Sequence, residues 1–222
     1  YLDGEGGVFM EKSYTKIYTT GATVPLKIRP GHFATNHAHI NYYIDVTTLK
    51  ARTKEAEEVA QALVGMYLYD TVIDTIVCME GTEVIGAFLA EELAKGGFLS
   101  TNAHKSIYVI SPEFNNNSQI IFRDNLIPMI RDKHVMILMA SVTTGRTLNK
   151  AVESIQYYGG ILQGASAIFS AMDSLDGVPI KSVFGKKDLP DYTYSDYRDC
   201  PLCKAGKKID ALVNTFGYSP MG

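Results

Sequence analysis

Five consecutive residues have the types and spacing of a loop that binds an anion: Thr143, Thr144, Gly145, Arg146 and Thr147. The threonine hydroxyls and the arginine can donate hydrogen bonds, and the glycine permits the unusual backbone dihedrals of a tight turn. The loop separates the apolar run Val135 to Ala140 from a helical pattern, so backbone N–H groups at a helix N-terminus would point at it. This layout favours phosphate binding, and a plain strand-to-helix connection is the alternative.

The elements that must position this loop alternate along the chain. Apolar residues spaced three to four apart predict helices over 51–69, 81–97 and 147–160, with Gly96 and Gly97 ending the second. Short runs of buried-type residues predict strands at 74–79, 106–111, 135–141 and 161–172, whereas the Asn-rich stretch after Pro112 predicts a turn or mobile loop. Strands that alternate with helices predict an α/β fold, in which helices flank both faces of a parallel sheet.

Length, charge and composition narrow the class of protein. A chain of 222 residues fits a single domain, with a core at about 51–188 and a small hood built from the terminal segments 1–50 and 189–222. A net charge of -3 and a pI near 6.0 argue against nucleic acid as the main partner. The apolar runs are too short to span a membrane and the first residues lack the pattern of a signal peptide, so a cytoplasmic location is expected.

Four segments, in order along nearly the whole chain, resemble type I phosphoribosyltransferases, and orotate phosphoribosyltransferase in particular. Residues 134–147 resemble the family's segment for phosphoribosyl pyrophosphate (PRPP), an apolar strand followed by a Thr-Thr-Gly-x-Thr loop. Residues 32–45 end in Tyr-Tyr-Ile-Asp, like a segment near the N-terminus of orotate enzymes. Residues 77–95 are similar to the strand, turn and helix beside the pyrophosphate, and CPLCKAG at 200–206 resembles a tail of some bacterial orotate enzymes.

The resemblance implies a role for each part of the site. It implies that the loop from Thr143 to Thr147 holds the 5′-phosphate of a phosphorylated ribose compound and that catalysis uses Mg²⁺. It also implies a homodimer. The remaining implied contacts are Glu80, Gly81 and Thr82 on the pyrophosphate side, and Phe33, Asn36, His37 and Tyr43 on the base side.

Three departures from the family pattern fall in its catalytic half. Met139 and Ala140 stand where the family has two acids that bind the ribose hydroxyls, a loss of roughly 1.5–3 kcal/mol for each charge-assisted hydrogen bond. The stretch SPEFNNNSQIIF carries no basic residue before Arg123, where orotate enzymes have a basic loop. Asn36 and His37 replace a Ser-Gly pair.

Two functional hypotheses follow. In the first, the protein binds PRPP or a 5′-phosphorylated nucleotide without standard orotate transfer. In the second, it is an active, divergent phosphoribosyltransferase that converts PRPP and a nucleobase such as orotate to a nucleoside monophosphate and pyrophosphate. The second hypothesis requires replacement groups, for example from Lys105, Arg123 or Glu80.

A second candidate site lies near the C-terminal end. Cys200 and Cys203 have the spacing of a zinc knuckle, but a tetrahedral zinc site needs four ligands and the sequence offers no second cysteine pair. Asp199, His32, His37 or His39 could complete the set if the hood brings the two ends of the chain together. Two reduced structural thiols and a redox pair are the alternatives.

Overall fold

The structure is a computed structural model that describes residues 14–95, 100–103 and 105–221. Its strands are β1 (Thr15–Ile17), β2 (Leu26–Ala34), β3 (His39–Asp45), β4 (Thr75–Cys78), β5 (Tyr108–Ile110), β6 (Glu113–Phe114), β7 (Ile120–Ile121), β8 (His134–Val142), β9 (Ile161–Ser170), β10 (Ser174–Leu175), β11 (Val178–Gly185), β12 (Tyr194–Ser195), β13 (Ala211–Asn214) and β14 (Gly217–Pro220). Its helices are α1 (Thr47–Ala51), α2 (Thr53–Val64), α3 (Glu83–Lys95), α4 (Arg146–Tyr157) and α5 (Pro201–Lys204), with one 3-10 turn at Ile127–Met129.

The core is a sheet in the order β10-β11-β9-β8-β4-β5, in which every pair except β10–β11 is parallel. All four residues of β4 are buried because alternate side chains enter two separate hydrophobic clusters. Ile76 and Cys78 pack with residues of α2 and α3 on one face, and Val77 packs with residues of α4 on the other. The predicted α/β class, a parallel sheet flanked by helices, is confirmed.

Two elements differ from the sequence prediction. The helix predicted over 51–69 is shorter, because the backbone is extended at Arg52 and α2 runs only from Thr53 to Val64, while Ala51 ends α1. The core strand β11 is absent from the prediction, because the polar Lys181 and Ser182 interrupt its apolar pattern. Helix α3 reaches Lys95, and the two glycines expected to end it, Gly96 and Gly97, lie outside the described residues.

A second sheet brings together strands from the two ends of the chain. Its order is β12-β3-β2-β13-β14, with β1 paired to β2 at the edge. Strand β13 runs parallel to β2, and β12 runs antiparallel to β3, so residues near 211 and 194 lie beside residues near 33 and 40. This sheet, together with α5 and the turn between β2 and β3, is called the hood below.

The stretch predicted as a turn or mobile loop forms a short ribbon of β6 and β7. Its turn is held by the Asn115 side-chain oxygen, which accepts backbone N–H bonds from Asn117 and Gln119, each 2.9 Å long. Asn side chains suit such turns because they bond to their own backbone two residues on. Among the helices of the described residues, none has the length and apolar character needed to cross a membrane.

Candidate functional site

The loop from Thr143 to Thr147 joins the end of β8 to the start of α4, at the carboxyl edge of the parallel sheet. Gly145 has φ of 76°, and a Cβ at this position would lie 2.6 Å from the Leu175 side chain. Both observations favour glycine, because residues with a side chain rarely adopt this backbone conformation and a Cβ here would require the Leu175 side chain to shift. The shape of the turn therefore depends on Gly145.

The first turn of α4 is suited to an anion. Among the residues that the structure describes, no side chain caps this 12-residue helix, and its first turn carries no acidic residue. The N–H groups of a first turn have no partners within their own helix, and together they carry a partial positive charge. A bound phosphate would satisfy them.

Two adjoining cavities lie between this loop and the hood. The inner cavity measures about 230 Å³ and the outer about 510 Å³, and they share Asn36, His37, Lys50, Glu80, Thr147 and Thr215 as lining residues. The whole loop from Thr143 to Thr147 and the base-side residue Tyr43 line the inner cavity, and Gly81 lines the outer one. Most of the residues predicted for the site thus face one cleft, at the place where ligands of open parallel sheets bind.

Glu80 places a carboxylate at the strand end where the family's acidic pair is missing. Its Oε2 accepts hydrogen bonds from the backbone N–H groups of Ala140 and Ser141, at 3.2 and 3.3 Å. Burial raises the pKa of this carboxyl, while the two N–H groups and the nearby Lys50 oppose the rise. Among the described residues, Glu80 is the only carboxylate that lines either cavity.

Three cationic side chains line the cleft, although the ribbon above it contributes none. Lys50 donates from Nζ to the backbone oxygens of Glu80, at 2.7 Å, and Thr215, at 3.1 Å, so it joins the core to the hood. Lys150 Nζ donates to the Ser118 oxygen of the ribbon at 3.2 Å, and Arg146 is exposed. Loss of solvent lowers the pKa of His37, and the positive charges of Arg146 and Lys150 lower it further. The imidazole is therefore neutral near pH 7.

Comparison with solved structures shows that the fold is similar to that of phosphoribosyltransferases. At TM-score 0.52 and 14% identity, the chain matches a phosphoribosyltransferase from Corynebacterium diphtheriae over 73% of its own length and 90% of the other chain. It matches orotate phosphoribosyltransferase of Mycobacterium tuberculosis, in complex with Fe(III) dicitrate, at TM-score 0.50 and 15% identity, over 74% and 92% of the two chains. It also matches UMP synthase of Leishmania donovani at TM-score 0.53 and 18% identity, over 73% of this chain and 34% of that one.

The chain has a type I phosphoribosyltransferase-like fold. The sequence matches no family model and no curated protein. At these identities the likeness establishes the fold, and the chemistry has to be argued from the residues of the site.

Two of the residues expected to touch a ligand are buried beneath the phosphoribosyltransferase-like cleft. Phe33 is 1% exposed and lines neither cavity, because its ring packs in the core, 6.0 Å from the Tyr43 ring. Thr82 is fully buried, and its hydroxyl donates to the backbone oxygens of Met79 and Leu138, at 2.8 and 3.0 Å. Phe33 therefore supports Tyr43 from below, and Thr82 ties the Glu80–Gly81 turn to β8.

Of the three proposed replacement groups, only Glu80 lies in the cleft. Lys105 pairs with Asp74 at 3.5 Å, at the opposite end of β4, and Arg123 pairs with Glu113 at 2.6 Å within the ribbon. Neither side chain lines a cavity.

Sequence reasoning missed three residues that this fold brings to the cleft. They are Lys50, Lys150 and Tyr192, whose hydroxyl lies 3.0 Å from that of Thr143 in the phosphate loop. Burial raises the pKa of Tyr192 to about 12, so it is a neutral phenol. A local signal existed only for Lys150, which lies one helical turn after Arg146 on α4.

The cysteine pair lies in the hood, away from the cavity linings. His32 and His39 are the two histidines that meet Cys200 and Cys203. The other two proposed ligands lie elsewhere, since His37 lines the cleft and the Asp199 carboxylate pairs with Lys204 at 3.6 Å.

Proposed function

We propose that the cleft binds a 5′-phosphorylated ribose compound, either PRPP or a nucleotide, with its 5′-phosphate in the loop from Thr143 to Thr147. One observation carries this proposal: the uncapped N-terminus of α4, the glycine-dependent turn and three cationic side chains all face the same cavity pair. Any one of these features is common, but their convergence matches an anion with more than one charged group.

The distribution of charge supports a ligand with phosphates at two places. Arg146 lies at the phosphate loop, whereas Lys50 lies across the cleft beside the Glu80–Gly81 turn, where the pyrophosphate is expected. Burial lowers the pKa of Lys50, and the negative charges of Glu80, Glu83 and Asp45 oppose this. A bound pyrophosphate would add a further negative charge that keeps the ammonium protonated.

Magnesium fits this donor set. Mg²⁺ in proteins is held by one or two carboxylates together with substrate phosphates and water. Glu80 supplies one carboxylate at the strand end, and the ligand would supply its phosphates. When bound, the ion would neutralise charge on the pyrophosphate.

The second candidate function is phosphoribosyl transfer to a nucleobase such as orotate. The position of Glu80 favours it, because a carboxylate that reaches the backbone of Ala140 and Ser141 stands close to where the missing acids would be. Binding without transfer remains the first proposal, because one carboxylate replaces two and it already accepts two backbone hydrogen bonds. The remaining Oε1 offers about two acceptor sites, whereas two ionised carboxylates would offer about eight.

Isothermal titration calorimetry tests the proposal directly. We expect saturable heat with PRPP or a nucleoside monophosphate and none with ribose, and with PRPP we expect tighter binding when Mg²⁺ is present. The absorbance of orotate in the presence of PRPP and Mg²⁺ separates the two functions, since only transfer consumes it. Flat titrations with all phosphorylated riboses would refute both. The homodimer and the cytoplasmic location stay predictions.

A further inference from the structure

Four side chains from separate parts of the hood converge on one point. His32 comes from β2, His39 from β3, and Cys200 and Cys203 from the start of α5, and their ligand atoms all lie within 4.8 Å of one another. The Nε2 atom of His32 lies 3.1 Å from His39 Nδ1, 3.5 Å from Cys200 Sγ and 3.6 Å from Cys203 Sγ. Cys203 Sγ lies 3.2 Å from His39 Nδ1.

Four of the six separations between these ligand atoms match those of a tetrahedral zinc site, and all six are within 4.8 Å. With Zn–S bonds of about 2.3 Å and Zn–N bonds of about 2.0 Å, tetrahedral geometry places neighbouring ligand atoms roughly 3.3–3.8 Å apart. The four distances fall in or just below that range. Two thiolates and two imidazoles are also a common ligand set for structural zinc.

Hydrogen bonding alone does not account for the arrangement. His32 Nδ1 lies 2.8 Å from the Lys207 carbonyl oxygen, which can only accept, so Nδ1 carries the proton and Nε2 is a bare lone pair. One lone pair accepts one good hydrogen bond, yet three atoms of other side chains crowd around it. A backbone carbonyl that fixes the outer N–H of a histidine is the usual second partner of a metal ligand.

The burial of the four residues and their positions in the chain indicate the structural role that a bound metal ion would have. His32 and Cys200 are fully or nearly fully buried, whereas Cys203 is exposed, so the cluster is closed on the inside and reachable from solvent. The two histidines bracket the turn that carries Thr35, Asn36 and His37, which line the inner cavity. Cys200 and Cys203, which lie 168 and 171 residues beyond His32 in the chain, hold the other side of the cluster.

We infer that His32, His39, Cys200 and Cys203 bind a structural Zn²⁺ ion, which joins the two ends of the chain and fixes the hood turn of residues 33–38 over the cleft. The site is separate from the phosphate loop and does not depend on which ligand the cleft takes. Zinc of this kind contributes directly to folding, because the site does not exist in the unfolded chain.

Metal analysis of the wild-type protein, expressed in zinc-containing medium, is the first test. We expect about one zinc per chain by mass spectrometry of the eluted metal. Exchange with Co²⁺ should give the visible bands of tetrahedral cobalt and a near-ultraviolet band from thiolate ligands. Absence of zinc, stoichiometric iron, or a cobalt spectrum without thiolate bands would overturn the inference.

Substitutions identify the ligands. Cys203→Ser changes the most exposed ligand and should weaken zinc binding at least tenfold in a chelator competition. Two controls should keep full zinc content: Cys78→Ala removes the buried thiol of β4, and His37→Gln removes the histidine of the hood turn that lies outside the cluster. Zinc loss in a control, or full affinity in Cys203→Ser, would contradict the assignment.

Two measurements that need no ligand in the cleft test the metal site independently of the proposed function. Amide hydrogen exchange in residues 33–38 should accelerate when a chelator removes zinc, while β4 in the core stays protected. Thiol titration of the unfolded, metal-free protein should find all three cysteines reduced. A Cys200–Cys203 disulfide in the purified protein, or unchanged exchange in the turn, would refute the inference.

Discussion

At each end of the strand pair β4–β8 a carboxylate accepts a backbone N–H hydrogen bond from β8, but the pKa values of the two carboxyl groups shift in opposite directions. At the carboxyl end, Glu80 follows β4 and accepts backbone N–H bonds from Ala140 and Ser141 of β8. At the amino end, Asp74 precedes β4 and accepts the backbone N–H of His134 at 2.9 Å. Burial raises the pKa of Glu80. Burial alone would also raise the pKa of Asp74, but hydrogen bonds from His134 and the charge of Lys105 hold it below its ordinary value.

We call the amino end, with Asp74, the stabilising end, and the carboxyl end, with Glu80, the binding end. The Asp74 carboxylate has two further contacts, with the His134 ring at 2.7 Å and with Lys105 at 3.5 Å. Glu80 instead has a backbone φ of 60°, a strained conformation for a residue with a side chain, and faces a cavity. A carboxylate on a strained residue beside a cavity suits ligand binding, whereas a carboxylate paired with several donors suits stabilisation of the fold.

The largest effect is expected at the binding end, from Gly145→Ala. Alanine in this left-handed conformation costs about 1–2 kcal/mol, and its methyl group would also meet the Leu175 side chain, so we expect the turn to shift. Displacing the turn also removes phosphate contacts, so we expect PRPP affinity to fall about 100-fold by calorimetry. Gly21→Ala is the matched control, since Gly21 has φ of 92° but open space around it. Equal losses in the two variants would show that strain alone is responsible.

Glu80→Gln sharpens the comparison between the two carboxylates. The amide oxygen can still accept the N–H bonds, but the charge is gone, so we expect the benefit of Mg²⁺ for PRPP binding to fall about tenfold. Because its folded pKa is raised, ionised Glu80 costs stability above that pKa, and the variant should be no less stable than wild type at pH 7. Glu83→Gln is the control, because that carboxylate bonds to Ser111 and lines neither cavity. Unchanged magnesium dependence in Glu80→Gln would remove its proposed role.

A region of the fold can be predicted from the sequence when the residues that determine it lie close together in the chain. The strands β4, β8 and β9 and helices α3 and α4 follow from buried runs and helical periodicity, and the phosphate loop follows from residues within one turn. The pairing of β2 with β13 is not visible in this way, since it joins Phe33 to Ala211. Such long-range pairings, of β2 with β13 and of β3 with β12, bring His32 and His39, rather than His37 or Asp199, beside the cysteines.

The charged residues that this chain lacks, compared with the family pattern, show the same limit of prediction from sequence. Met139, Ala140 and the ribbon could be recognised as lacking acids and bases from the sequence alone. The groups that stand near those places, Glu80, Lys50 and Lys150, come from three different elements. Their arrangement depends on how β4, α1 and α4 pack around the cleft, which no spacing along the chain encodes.

The smallest effect is expected at the stabilising end, from Asp74→Asn. The substitution replaces charge-assisted hydrogen bonds to His134 with neutral ones, so we expect a loss of about 1 kcal/mol in the free energy of unfolding at pH 7, discounted because the carboxylate is partly exposed. Since the folded pKa of Asp74 is lowered, its stabilisation is present above about pH 4 and is lost as the pH falls through the folded value. Urea unfolding at pH 7 and at acidic pH should therefore show a deficit in the free energy of unfolding that shrinks with acidification.

Asp70→Asn is the control, because that carboxylate accepts only from the neighbouring Thr71 hydroxyl among the contacts of the described residues. A deficit in Asp74→Asn that persists at low pH, or a loss of PRPP affinity in the same variant, would break the division between the two ends.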